Sequence, residues 1–493
     1  MNLSSLHVHF ILWTIVIFIS IISINYCIVN DYPSFFIPIF FPLLYYLSMH
    51  DTIDSFMNDG DWFNLKNIHL AGFFVFLVLG SIYYLISINN QQSFFVFDYR
   101  IANTGILYVL LGVVTYKVTY NVFDTELHLQ VDDKKIHFPP LVILAAISFL
   151  IKIYLSFQEN ALTFSLPDFD RIINNDISRI NNYLTYFSYF NYYVIAVLSF
   201  LFFQNKLPKK LINFFYFIII LSIFFGFLVG KKEELLRLAF FIIVPFSLLK
   251  VSKMNKFNLS KKVFLGFAVL VLFAFIVNPI IRFGLSIFSG LDFEIALAVL
   301  NAGSSSVITS SFGSVGLEDS SLFNLSLQYM ANRVFLFNLL LPAIYYTPDF
   351  IPFMNFEKYI YLIPFAFIPR LFWNEKPVIL ENIDYTYNYI NGQLNSATSP
   401  SYIGWGYLEY GVLGIIVTMT LFALISVFVN KYLFQYIRNP VLIATFSSGL
   451  FFHLWSVMGY FFGMIAGLPT VFVNTFIFYF GYRIISFFLK YKL

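Results

Sequence analysis

HFILWTIVIFISIISINYCIV, residues 9–29, contains no charged side chain other than what His9 can gain by protonation. A helix of about 20 apolar residues crosses the hydrocarbon core of a bilayer, where every backbone N–H and C=O must be satisfied within the segment. The run is longer than the core of a signal peptide and lacks a small-residue cleavage site, so it reads as a retained first helix. Comparable runs recur to the end of the chain. The same criterion places helices at 8–29, 34–48, 67–88, 101–118, 138–156, 182–204, 211–229, 235–250, 262–280, 403–427, 440–458 and 467–488. The fold expected is all-α: a polytopic membrane protein of about twelve transmembrane helices, with residues 1–493 forming a single integral membrane domain.

Composition points the same way. Of 493 residues 59% are hydrophobic and 11% charged, more apolar surface than a water-soluble domain can hide. The net charge of +3 is too small to suggest a nucleic-acid partner. The single cysteine, Cys27, lies in the first apolar run, which excludes an internal disulfide and any cysteine-built metal site.

Orientation follows from the excess of Lys and Arg in cytoplasmic loops. Lys206, Lys209 and Lys210, and then Lys250, Lys253, Lys256, Lys261 and Lys262, mark two such loops. Alternating outward from them also places Lys134, Lys135, Lys431, Arg438, Arg483, Lys490 and Lys492 inside, with both termini cytoplasmic. The segments left outside are 89–100, 157–181, the turn at 230–234 and a large extracytoplasmic loop, 281–402. Within that loop, 334–346 and 359–368 are apolar but interrupted by Pro342, Pro364 and Pro369, so they read as interfacial or re-entrant helices. The small-polar run from Asn301 to Ser314 reads as a flexible outer loop.

Charge at membrane depth needs a partner, a wet cavity or a function. GKKEELLRLAF, residues 230–240, puts Lys231, Lys232, Glu233, Glu234 and Arg237 at the outer end of the helix at 235–250. Lys231, Glu234 and Arg237, spaced by three, share a face, and the helix N-terminus adds its dipole to the attraction for an anion. The plainer alternative is a solvated helix end with internal Lys–Glu pairs. Arg282, Arg333, Arg370 and Lys376 follow on the same side. Arginine suits a diphosphate because its planar fork makes paired, charge-assisted hydrogen bonds, although each cation taken singly also reads as snorkelling toward the interface.

Histidine is scarce where an outer site would need it. His7, His9, His50, His69, His128 and His137 fall on the inner side or inner half, and only His453 approaches the outer face, where it reads as a hydrogen-bonded core residue. A Ser-His-Asp triad, a multi-histidine metal site and a bound cofactor are therefore not expected. A general base would have to be a carboxylate, with Glu234, Asp292, Glu294, Glu318, Asp319, Glu375 and Glu409 as candidates. No phosphate-binding loop, nucleophile elbow or dinucleotide fingerprint is present.

IPRLFWNEKP, residues 368–377, resembles the "PR, aromatic, Trp, x, x, Lys-Pro" signature of Wzy-type O-antigen polymerases, the oligosaccharide repeat-unit polymerases. TSPSYIGWGYLEYGVLGII, residues 398–416, is similar to the small-polar, glycine-rich entry to the next helix in that family. The basic start around Arg237, the large outer loop and the helix count extend the resemblance over most of the chain. It implies a GT-C-like membrane glycosyltransferase that acts on the extracytoplasmic face of the bacterial inner membrane and uses no nucleotide sugar. The growing glycan on a polyprenyl diphosphate would be transferred to a new polyprenyl-diphosphate-linked oligosaccharide. The product would be O-antigen, capsule or exopolysaccharide.

For that chemistry Arg237, Arg282, Arg370 and Glu375 are the catalytic candidates, the arginines stabilising charge on the departing diphosphate. Lys231, Lys232, Arg333, Trp373, Lys376, Trp405 and Tyr407 are candidates for substrate binding. The aromatics among them also read as an interfacial belt. Membrane lipid is the other expected partner, with a chain-length regulator and a flippase as candidate protein partners. A lipid-linked oligosaccharide flippase, an O-antigen ligase and a membrane acyltransferase are the alternatives. The ligase is disfavoured because residues 281–402 hold no histidine.

Overall fold

The computed structural model describes residues 3–30, 32–57, 63–89, 97–124, 131–132, 136–158, 179–229, 232–251, 266, 335–357, 368, 381–391, 399–433, 436–455 and 461–491. These form helices α1 (Leu3–Val29), α2 (Phe36–Met57), α3 (Leu65–Phe73), α4 (Leu79–Asn89), α5 (Tyr99–Phe123), α6 (Phe138–Gln158), α7 (Arg179–Ser188), α8 (Phe190–Phe203), α9 (Lys209–Val229) and α10 (Lys232–Val251). Later in the chain come α11 (Phe337–Tyr346), α12 (Glu381–Tyr385), α13 (Ser401–Val427), α14 (Pro440–Leu454) and α15 (Phe461–Tyr491). A π-helical stretch, Phe74–Val78, joins α3 to α4, and two more follow α12 and α13 at Thr386–Asn391 and Phe428–Leu433.

Eight helices among the described residues are long and apolar enough to cross a membrane. The chain is thus a polytopic, all-α membrane protein. About twelve crossings were expected from sequence, and the difference falls on four segments. The one at 262–280 lies almost wholly outside the described residues. Helices α2 and α10 each carry a charged turn, with His50, Asp51 and Asp54 in the first and Glu233, Glu234 and Arg237 in the second. Helix α14 is apolar but, at 15 residues, short.

Side-chain caps fix several starts by satisfying the free N–H groups of a first turn. Asn64 accepts from Asn67 N at 2.8 Å before α3, and Asp98 accepts from Arg100 N at 3.0 Å before α5. Asn439 accepts from Val441 N at 3.0 Å before α14, where Pro440 stands in the first turn and lacks the N–H that would need a partner.

The helices pack as two lobes. One contains α1 to α5 with α11 and α13; the other contains α6 to α10 with α14 and α15. Helix α8 is the central column of the second lobe, since 78% of the Leu184–Phe203 stretch is buried, against 22% for Val8–Val29 at the periphery. Along the peripheral helices, rows such as Phe217, Ile220 and Phe224 on α9 and Phe476, Phe480 and Phe487 on α15 stay exposed, the face that lipid tails cover. The seam is polar where the backbone needs it. Fully buried His69 has Nδ1 2.6 Å from Tyr116 Oη and Nε2 2.6 Å from the Leu454 carbonyl, tying α3 to both α5 and α14. Ser247 of α10 donates to the Phe63 carbonyl at 2.9 Å.

Two parts of the late chain sharpen or correct the sequence expectation. The apolar piece at 334–346, read as interfacial or re-entrant rather than a complete span, is indeed too short to cross: α11 is ten residues long, and its burial among α4, α5 and α13 sets aside the interfacial alternative. Small residues make room for it, as a Cβ on Gly105 would lie 2.8 Å from Leu341 Cδ2. The piece at 359–368 lies outside the described residues apart from Ile368.

The segment at 403–427 is not one straight helix. Tyr410 (φ −160°, ψ 44°) and Gly411 (φ 57°, ψ −138°) break it. Residues eight apart in a continuous helix are about 12 Å apart along the axis. Here a Cβ on Gly406 would lie 2.9 Å from both the Gly414 carbonyl oxygen and Ile415 Cα. The first two turns of α13 therefore fold back on the rest. Their last carbonyls are satisfied by the chain that follows α11: Met354 N donates to Leu408 O and Asn355 N to Glu409 O, each at 2.9 Å.

Candidate functional site

Arg237 occupies the second turn of α10, and the second lobe closes around it. Its guanidinium carbon sits 3.9 Å from the centre of the Tyr189 ring and 4.5 Å from that of Phe452, held between an aromatic at the start of α8 and one near the end of α14. Rings on two sides fix the guanidinium plane and leave its edge for hydrogen bonds. Nη2 donates to Glu233 one turn earlier, while Nε is buried and has no hydrogen-bond partner among the described residues. The two partners differ sharply in exposure: the Arg237 side chain is 13% exposed and Glu233 58%.

Beside this pair lies a second, deeper one. Lys152 of α6 places Nζ 2.6 Å from Glu234 Oε2 and 4.0 Å from the centre of the Tyr192 ring. The Tyr192 hydroxyl donates to the same Oε2. Neither Lys152 nor Tyr192 is among the residues singled out from sequence. The available signal was Lys152 itself, the one charge in the apolar run 138–158, which requires a partner at that depth. The partner comes from a segment that follows roughly 80 residues later, a pairing that no local pattern displays.

The helix start also differs from expectation. Glu233 and Glu234 lie in the first turn of α10, so the protein's own carboxylates already complement the N-terminal dipole. Glu234 is bonded across the bundle to Lys152 of α6 rather than held in a solvated helix end.

His453 lies close by. Its Nε2 is 2.7 Å from the Met464 carbonyl, and its ring rests where a Cβ on Gly467 would sit, the hydrogen-bonded core role read from sequence. The ends of α6 and α14 and the starts of α8 and α10, assigned to one side of the membrane by the alternation of basic loops, thus meet in one cluster.

Of the sequence-predicted catalytic and binding residues among the described residues, Arg237 belongs to this cluster, together with the candidate base Glu234. Lys232 begins α10, and Lys231, Arg282, Arg333, Arg370, Trp373, Glu375 and Lys376 lie outside the described residues. Trp405 and Tyr407 are on α13 in the other lobe. Trp405 is fully buried, stacks edgewise on Tyr385 and donates from Nε1 to Ser399 at 3.1 Å. That environment presents no ring face to a sugar and does not match a belt residue either; it is core packing. Tyr407 is likewise buried and donates to the Thr347 carbonyl at 2.8 Å. Among the candidate bases, Glu234 is held as described, and Glu409 is buried with Oε2 accepting from Phe356 N at 2.9 Å. The other five lie outside the described residues.

The fold and the cluster define a polytopic helical membrane protein that carries buried, paired charges at one end of its bundle. No protein-family model matches the chain, and neither does any curated protein or solved structure.

Proposed function

We propose that the chain is a Wzy-type oligosaccharide repeat-unit polymerase, a GT-C-like glycosyltransferase with about twelve crossings that acts on the extracytoplasmic face. The observation that carries this reading is Arg237, a guanidinium clamped between Tyr189 and Phe452 whose anionic partner, Glu233, is mostly exposed. An exposed carboxylate one turn away is a weak and displaceable partner. A diphosphate oxygen that replaced it would meet a guanidinium already oriented, with no reorganisation needed as charge develops. Lys231 and Lys232 precede it in sequence, and the 368–377 and 398–416 motifs supply the family resemblance.

In the reaction the bond between the sugar anomeric carbon and the diphosphate oxygen breaks as a bond to the acceptor hydroxyl forms. The hydroxyl proton passes to a carboxylate base, and polyprenyl diphosphate leaves with the bonding pair stabilised by Arg237. Both termini are cytoplasmic in this reading, which puts the Arg237 cluster outside.

The test is electrophoresis of surface glycan and lipid-linked intermediates from cells lacking the gene and complemented with wild type, Arg237→Ala or Arg237→Lys. Loss of one such charge-stabilising donor costs about hundredfold in rate, so Arg237→Ala should collapse the ladder to single repeat units held on their carrier outside. Unchanged polymer length with Arg237→Ala present at normal levels refutes the role of Arg237. Repeat units retained on the inner leaflet would make the protein a transporter instead.

A further inference from the structure

A cavity of about 440 Å³ opens at the opposite end of the second lobe, between the chain entering α6, the start of α14 and the end of α15. Its polar lining includes His137, Asn439, Tyr479, Tyr482, Arg483 and Lys490, and among the described residues no aspartate or glutamate lines it. Two phenols there are set as donors. Tyr482 Oη accepts from His137 N at 2.9 Å and Tyr479 Oη accepts from the Asn439 amide at 3.2 Å, so in each the hydroxyl proton is left to point elsewhere. A guanidinium, an ammonium and two hydroxyl donors around one cavity form a site for a phosphate.

The depth of the cavity decides the source of that phosphate. Lys490 ends the apolar stretch Gly463–Lys490, which places it at the membrane surface. Phe487 lines the cavity while remaining 57% exposed, and Phe480, two turns earlier on α15, is exposed to the same extent. A molecule with its phosphate in the cavity would therefore lay its apolar part along lipid-facing phenylalanines.

We propose that this cavity binds the phosphate-bearing headgroup of an anionic phospholipid from the leaflet bordering that end of the bundle. The site is independent of the Arg237 cluster and of the polymerase reading. Basic pockets between membrane helices hold such headgroups by charge and by hydrogen bonding together.

The test uses the full chain reconstituted in phosphatidylcholine vesicles to which phosphatidylglycerol is added, with thermal unfolding followed by intrinsic fluorescence. Phosphatidylglycerol should raise the unfolding temperature of the wild type in a saturable way. Each basic side chain near the surface is worth roughly fivefold in affinity, so Arg483→Ala with Lys490→Ala should move half-saturation up about 25-fold. Tyr479→Phe, which keeps the ring and removes one donor, should move it about fivefold. Equal responses from wild type and both variants overturn the proposal. So does a shift of the same size produced by inorganic phosphate in phosphatidylcholine alone, which would assign the cavity to a free anion.

Discussion

Replacing Lys152 by Met removes the ammonium 2.6 Å from Glu234 Oε2 and leaves a carboxylate stranded between helices. Taking one partner from a buried ion pair costs about 3–5 kcal/mol, because the remaining charge keeps its desolvation without its compensation. Glu234 retains the Tyr192 hydroxyl and is 17% exposed, so the lower end, about 3 kcal/mol, applies here. Replacing both partners by apolar residues of similar volume, Lys152→Met with Glu234→Leu, removes the stranded charge and should return stability to within about 1 kcal/mol of wild type. Glu234→Leu alone strands the Lys152 ammonium, which is 5% exposed, and should cost at least as much, so the coupling in the double-mutant cycle is about 5 kcal/mol, well above the 0.6 kcal/mol or so that hydrogen-bonded pairs in membrane proteins average. Unfolding of the four reconstituted proteins by steric trapping in bicelles measures it. A coupling below about 0.5 kcal/mol would mean that the pair behaves as a solvated surface bridge, and the burial argued for the cluster would be wrong.

Three further substitutions probe other parts of the argument. Gly411→Ala forces a side chain into positive φ and places its Cβ 3.3 Å from the Phe353 ring; it should cost about 1–2 kcal/mol in the same unfolding measurement, and an unchanged value would argue against the break in α13. Gly467→Ala drives a methyl into the His453 ring and should destabilise by about 1–3 kcal/mol, a loss that His453→Ala in the same chain should largely relieve. Glu233→Ala removes the competitor for the Arg237 edge at little structural cost, since exposed pairs one turn apart contribute about 0.3–0.5 kcal/mol. Polymer should still be made, with half-saturation by the lipid-linked substrate lowered about twofold; loss of polymer would instead give Glu233 a role of its own in the reaction.

The membrane class was legible because lipid offers backbone groups no water, so spanning segments announce themselves as long apolar runs such as 9–29. The cap that Asn439 sets ahead of Pro440 is a signal of the same local kind. What hydropathy could not show was direction within a run. Residues 403–427 score as one apolar helix, yet Gly406, Gly411 and Gly414 let the chain reverse inside it, and the sequence sign was the glycine spacing around Glu409 rather than any fall in hydrophobicity. Pro342 left an interfacial and a re-entrant piece equally open, and the notches at Gly80 and Gly105, which draw α11 into the core, decide against the interface. Trp405 illustrates the same limit, since an aromatic near a helix end reads as a belt residue until its neighbours are known. In the charged cluster, Arg237 was visible as a local anomaly, but Lys152 and Tyr192 became partners only when three helices met.

The two ion pairs have different burdens, and their exposure assigns them. Lys152 and Glu234 are 5% and 17% exposed, so both charges have lost most of their water, and a buried pair of this kind contributes little net stability compared with apolar residues of the same shape. Its effect is to hold α6, α8 and α10 in one register through the Lys152, Tyr192 and Glu234 contacts. Arg237, by contrast, meets a carboxylate that is already in solvent, and in the proposed reading a substrate anion takes its place. The apolar double replacement of Lys152 and Glu234 should therefore fold and keep polymer synthesis within about tenfold of wild type, since it leaves the Tyr189 and Phe452 clamp intact. Arg237→Ala should lose about 1–2 kcal/mol from its two ring contacts, remain in the membrane and make no polymer. Glycan electrophoresis alongside measured protein levels separates these outcomes. Normal polymer from Arg237→Ala together with none from the stable double variant would reverse the roles, making Lys152 and Glu234 the working groups and Arg237 the support.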